Sequence, residues 1–133
     1  MSNPPELILG TAQLGMSYGI TNTTNAEFDE ACAIDILTEA KRLNITDFDT
    51  APAYGRSENI LGSFWKGEAN ISTKLSWSSE WSSNEIIEHC YSSICQSLKN
   101  LQMSKLASVI THSSWAPELE NLNVVLQVLK RAK

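Results

Sequence analysis

Four short apolar runs punctuate the chain, and a stretch of helical spacing follows each one. They are Leu7-Ile8-Leu9 closed by Gly10, Asn44–Asp49 (NITDFD), Ala69–Leu75 (ANISTKL) and Leu106–Thr111 (LASVIT). No hairpin signal joins any two of them. Strands that alternate with helices pair parallel, through right-handed crossovers. Two α/β architectures satisfy this order: a complete open sheet of flavodoxin type, or four βα units forming half of a (β/α)8, or TIM, barrel. A whole barrel of that kind typically takes ~250 residues, and the chain has 133. Periodicity alone does not separate the two.

The helices announce themselves by caps and by spacing. Thr24-Asn25-Ala26-Glu27 fits a capping box, and Ala33, Ile36, Leu37, Ala40 and Leu43 then recur at helical intervals. Ser57–Trp65 reads as a short helix with Ile60, Leu61 and Phe64 on one face. After the serine-rich loop Ser76–Ser83, Ser82-Ser83-Asn84-Glu85 forms a second capping box, ahead of Ile87, Cys90, Tyr91, Ile94, Leu98 and Leu101. A last amphipathic stretch carries Leu122, Val125, Leu126 and Leu129. Gly55 and Gly62 are expected to serve turn and helix-end geometry.

Composition narrows the function classes. Ten basic against fifteen acidic residues give a net charge of −5, with no basic run, which argues against a nucleic-acid footprint. No apolar window approaches the ~20 residues that span a bilayer, so no membrane partner is expected. The opening MSNPPELILG lacks the basic and apolar regions of a signal peptide. Cys32, Cys90 and Cys95 show no C-x-x-C spacing and fall in helical patterns, as reduced thiols of a cytoplasmic protein would. Gly10, Gly15 and Gly19 form neither G-x-G-x-x-G nor a phosphate loop. His89 reads as a solvated helix residue. The expected partner is a small molecule or another protein.

In a parallel sheet the C-terminal strand ends share one edge, where such folds place their sites. Here they carry Gly10-Thr11, Asp49 with Tyr54 beyond it, Lys74, and Thr111-His112. An acid, a phenol, an ammonium and an imidazole therefore converge. A phenol is a weak acid, with a pKa of ~10. An adjacent ammonium favours its ionised form, and a carboxylate keeps that ammonium charged and oriented. An imidazole can hold a carbonyl oxygen. Together they suit hydride arrival at a carbonyl carbon with protonation of its oxygen.

At these positions GTAQLGMSYG, DTAPAYGRSENILG, STK and VITH resemble the successive strand-end motifs of the aldo-keto reductases, most closely the bacterial members. The resemblance implies a TIM-barrel oxidoreductase that interconverts carbonyls and alcohols with NADPH or NADH. Carried over, the catalytic tetrad is Asp49, Tyr54, Lys74 and His112, with Tyr54 the general acid. Gly10, Thr11, Asp49 and His112 would face the cofactor, and Trp77, Trp81 and Trp115, in loops after the third and fourth strands, would wall the pocket for a small carbonyl substrate. No metal is implied. Where the family shows D-Y-I-D before its histidine, this chain has Lys105-Leu106-Ala107-Ser108.

The expected domain is a single truncated one over residues 1–133, holding units one to four of the barrel. The family grips the cofactor's phosphates mostly from units five to eight, so weak cofactor binding and doubtful activity alone are expected. Self-association, or pairing with the other half, is expected as well. The alternative is a non-catalytic half-barrel that acts in self-association or partner binding.

Overall fold

Each of the four apolar runs forms a strand: β1 (Ile8–Gly10), β2 (Asp47–Asp49), β3 (Asn70–Leu75) and β4 (Ser108–Thr111). The computed structural model describes residues 7–16, 29–112 and 119–132. Helices α1 (Glu30–Arg42), α2 (Ser57–Trp65), α3 (Ser83–Asn100) and α4 (Leu119–Ala132) alternate with the strands, and a 3-10 turn at Ala12–Leu14 follows β1.

All three strand pairings are parallel, and the order across the sheet is β1-β2-β3-β4. That order decides between the two architectures. A doubly wound sheet reverses direction at a switch point; this one steps the same way at every crossover. Right-handed crossovers that all step one way lay every helix on one face. Consecutive helices accordingly touch, α1 on α2, α2 on α3 and α3 on α4. This is the winding of a (β/α)8 barrel, four units of it.

Strand alternation sorts the side chains between the faces. On β3, Ile71, Thr73 and Leu75 are buried under the helices, while Ser72 and Lys74 point to the opposite face. Phe48, 1% exposed, joins Leu37, Leu61, Trp65, Ile71 and Leu101 in one core cluster. Leu75, Ile86, Cys90, Ile94, Val125 and Val128 form a second, between β3, α3 and α4. Burying each large side chain of this kind contributes about 1.5–3 kcal/mol. The register sets Gly10, Asp49, Ser72 and Ser108 side by side, with Lys74 beside Ile110 one same-face step further on.

Several details differ from the sequence reading. Thr24–Glu27 lies outside the described residues, and α1 is capped by Asp29, whose Oδ1 accepts from the Ala31 amide at 3.3 Å. The NITDFD run becomes strand only at Asp47. Asn44 instead takes φ 56° and closes α1, its N–H donating to Lys41 O at 3.1 Å and that of Ile45 to Ala40 O at 2.9 Å. This is a Schellman cap, which the αL tolerance of asparagine permits. The Ser82–Glu85 capping box forms as expected. The buried stripe of α3 runs through Ile86, Cys90, Ile94 and Ser97 and on to Leu101 just past its end, leaving Tyr91 55% exposed. In α4, Val125 and Val128 are buried and Leu126 is exposed. Gly62 is not at a helix end: a Cβ there would sit 2.2 Å from Asn100 O, so it lets α2 press against the end of α3.

Candidate active site

The site grows out of the segment between β2 and α2. After Asp49 the chain turns, with the Tyr54 N–H donating to Ala51 O at 3.0 Å and the Ser57 N–H to Tyr54 O at 3.1 Å. Gly55 carries φ +58°, a conformation that costs glycine little. The loop after β1 presses on this turn backbone to backbone: a Cβ on Gly15 would lie 2.2 Å from Ser57 N and 2.3 Å from Tyr54 O.

The fold brings the four expected catalytic residues together. Lys74 Nζ donates to Asp49 Oδ2 at 2.6 Å and to Thr50 O at 3.1 Å. It also lies 4.9 Å from the centre of the Tyr54 ring. The His112 ring meets the Tyr54 ring edge-on, with centroids 5.5 Å apart and planes at 89°. The His112 N–H donates to Leu75 O at 2.8 Å, which continues the β3–β4 ladder past its last strand residue and fixes the histidine's height. With the Lys74 side chain 13% and the Asp49 side chain 33% exposed, the ion pair sits at the open end of the sheet yet is partly shielded from water.

Beneath this pair lies a chain of buried hydroxyls. Thr11 Oγ1 donates to Asp49 O at 3.0 Å, and the Thr11 N–H reaches the same carbonyl at 3.0 Å. Ser57 Oγ lies 2.8 Å from Thr11 Oγ1 and 3.0 Å from Thr11 O, within donating reach of either. Thr50 Oγ1 is 3.3 Å from Ser57 Oγ. Thr11, Thr50 and Ser57 are all fully buried. Behind them the Glu58 carboxylate, 2% exposed, accepts from Thr73 Oγ1 at 2.8 Å and Asn100 Nδ2 at 3.2 Å. It ties α2 to β3 and α3.

Thr11, expected to face the cofactor, is fully buried, and its hydroxyl donates to Asp49 O beneath the sheet end. Gly10, by contrast, is exposed beside Asp49, and a Cβ added there would meet nothing within 4 Å. Trp77 and Trp81 pack against the cluster of β3, α3 and α4, and Trp81 sets its edge on His89, centroids 4.7 Å apart. Trp115 lies outside the described residues. Sequence reasoning missed the roles of Ser57, Thr50 and Glu58. Their only signal was small hydroxyls and an acid placed between Asp49 and the apolar face of α2. No cluster of potential metal ligands occurs among the described residues.

Residues 6–131 match the model of the Aldo/keto reductase family. The chain belongs to the aldo/keto reductase family. A solved Pseudomonas aeruginosa protein described as an aldo-keto reductase is 30% identical, with a TM-score of 0.74, over 95% of this chain and 50% of its own length. An aldo-keto reductase from a Medee basin deep-sea metagenome library shares 21% identity and superposes with a TM-score of 0.67, over 98% of this chain and 42% of its own. The chain thus spans half or less of the length of these two structures. No curated protein matches it.

Proposed function

We propose that the Asp49, Tyr54, Lys74 and His112 cluster reduces the carbonyl of a small molecule to an alcohol, using NADPH or NADH. The observation that carries this reading is the Lys74 ammonium, held 2.6 Å from Asp49 Oδ2 and 4.9 Å from the centre of the Tyr54 ring, with His112 on that ring's other contact.

A reduced nicotinamide, when bound, supplies the hydride that adds to the carbonyl carbon. The open space at Gly10, beside Asp49, fits a flat ring approaching the sheet end closely, and Gly10, Asp49 and His112 are the residues of this chain that would border it. As the C=O double bond becomes single, negative charge gathers on the oxygen. Tyr54 Oη gives its proton to that oxygen, and the phenolate left behind lies next to the Lys74 ammonium, whose charge offsets it. Asp49 keeps that ammonium aimed. His112, edge-on to the Tyr54 ring, is the second group here that can donate to that oxygen. In all, one hydride from the cofactor and one proton from Tyr54 would add across the C=O bond, leaving the alcohol, an oxidised nicotinamide and the Tyr54 phenolate.

The test is consumption of NADPH with small aldehydes, comparing the wild type with Tyr54→Phe. The variant removes one hydroxyl and leaves the ring to pack, so the rate should fall by about 10²–10⁴-fold. Equal rates in both proteins would remove Tyr54 from the chemistry. A wild type without turnover would sink the reading for this chain and favour a non-catalytic half-barrel that binds a partner. Ile8 and Ile110, 65% and 46% exposed on the sheet face away from the helices, support that second reading.

A further inference from the structure

We infer that Ser57 is a positioning residue that sets the geometry of three members of the tetrad at once. The inference rests on the carbonyl-reducing reading of that site. Ser57 is the first residue of α2, and its side chain is fully buried. Its Oγ lies 2.8 Å from Thr11 Oγ1, and Thr11 Oγ1 donates to Asp49 O at 3.0 Å. On the other side Oγ lies 3.3 Å from Thr50 Oγ1, and Thr50 supplies the carbonyl that Lys74 Nζ donates to at 3.1 Å. Its own N–H donates to Tyr54 O at 3.1 Å and so closes the turn that presents the phenol.

One proton order satisfies all three hydroxyls: Thr50 donates to Ser57, Ser57 to Thr11, and Thr11 to Asp49 O. Each hydroxyl but the first then both accepts and donates, and such chains polarise and strengthen one another in a low dielectric. The two residues that hold Lys74, Asp49 through its carboxylate and Thr50 through its carbonyl, are thereby both linked to a single serine on the helix behind them. Removing its oxygen takes the shared partner from the Thr50 and Thr11 hydroxyls, leaving Asp49 O held by Thr11 alone and the Thr50 segment free to shift. An ammonium loosened by even about an ångström from the phenol is expected to lower the rate on the order of a hundredfold, the sensitivity expected of oriented catalytic groups.

The test uses Ser57→Ala, which deletes the oxygen, and Ser57→Thr, which keeps it. A lysine ammonium held by two acceptors exchanges its protons slowly and gives a distinct nitrogen–proton NMR signal; a loose one does not. Ser57→Ala should lose the Lys74 signal while its backbone spectrum stays folded, and kcat should drop by roughly 10–100-fold with KM moving less than about twofold. Ser57→Thr should restore both. Should Ser57→Ala fail to fold, Thr50→Val, which cuts the Thr50 arm alone, is expected to blur the Lys74 signal in a folded protein. A folded Ser57→Ala that keeps the signal and the rate overturns the proposal, as does a sharp signal in Thr50→Val. The carbonyl-reducing reading fails separately: wild type would then show no turnover while the Lys74 signal still responded to Ser57.

Discussion

Lys74 Nζ lies 2.6 Å from Asp49 Oδ2, although the residue paired with Asp49 across the β2–β3 ladder is Ser72. The lysine stands one same-face step further along β3 and leans back across the strand to reach the acid. That diagonal carries its ammonium over the Tyr54 ring, where a directly opposite partner would have held it down at the level of Ser72. Thr50 O completes the grip from above the acid.

Lys74→Met keeps most of the side-chain length and removes the charge. Thr50 O and Asp49 Oδ2 each lose a donor in a partly shielded place, so stability should fall by about 1–3 kcal/mol. Carbonyl turnover should fall by about 10²–10³-fold, the usual consequence of removing a group that stabilises developing charge. Urea denaturation and steady-state rates check the two effects separately. Unchanged turnover would reduce Lys74 to a structural partner of Asp49.

Two glycines five residues apart should respond in opposite ways. Gly15→Ala places a methyl carbon 2.2 Å from Ser57 N and 2.3 Å from Tyr54 O, both backbone atoms that cannot swing aside. The Tyr54 turn must shift, at a cost of about 1–3 kcal/mol in stability, and turnover should fall with it. Gly10→Ala meets nothing within 4 Å, so its stability should stay within about 0.5 kcal/mol of wild type. Its methyl does enter the space beside Asp49, and NADPH should bind more weakly. Thermal melts and cofactor fluorescence separate the pair; equal NADPH affinity in Gly10→Ala would take the cofactor away from that edge.

The convergence of Asp49, Tyr54, Lys74 and His112 was legible in the sequence because each sits at or just past the end of a strand, and a parallel order puts strand ends on one edge. The hydroxyl support was not legible. Ser57 and Thr11 meet 46 residues apart in sequence, and nothing in either neighbourhood distinguishes a helix-start serine from a support for Asp49. Periodicity also misjudged the stripe of α3: the spacing put Ile87 and Tyr91 on it, whereas packing against β3 and α4 buries Ile86 completely and leaves Tyr91 exposed. Asn44 was read into a strand because its apolar neighbours continue the run, while its tolerance of a left-handed backbone is what ends α1.

Glu58 should be a stability residue rather than a catalytic one. Its two oxygens serve donors on β3 and α3, and Glu58→Ala strands both in a buried place, at a cost of about 2–4 kcal/mol. Glu58→Gln keeps an acceptor for one of them and should lose less. Denaturation midpoints rank the two variants. A Glu58→Ala protein as stable as wild type would mean that water replaces the carboxylate there.

The three thiols should divide by burial. Cys32 and Cys95 are exposed and Cys90 is buried, and burial pushes the Cys90 thiol above its ordinary range. A thiol in the unfolded chain ionises near pH ~8.5. The folded protein therefore holds the Cys90 proton more tightly over the window above that value, and stability should decline as pH rises through it. A chromogenic disulfide reagent should titrate two thiols quickly and the third only as denaturant opens the core. Cys90→Ala should flatten the alkaline decline. Three equally fast thiols would place Cys90 outside the core of α3 and α4.

Association should follow from the face and edges of the sheet. β1 and β4 are its two outer strands, and outer strands present rows of unpaired N–H and C=O groups that invite another chain. Leu7 and Ile8 beside the first edge are 63% and 65% exposed, and Ile110 on the other is 46% exposed. Among the described residues of these strands no lysine or proline blunts either edge. Apolar side chains on an open sheet face gain by being covered, whether by another copy or by a partner with a matching sheet. The isolated chain is therefore expected to self-associate reversibly, and sedimentation velocity over roughly a hundredfold range of concentration should show its mean mass rising, as mass action requires. Ile8→Lys and Ile110→Lys place a charge on each edge and should shift the equilibrium toward monomer without unfolding the helix-side core. A compact monomer at every concentration would mean that the four-unit sheet closes its own edges, and the half-barrel account of its surface would fall.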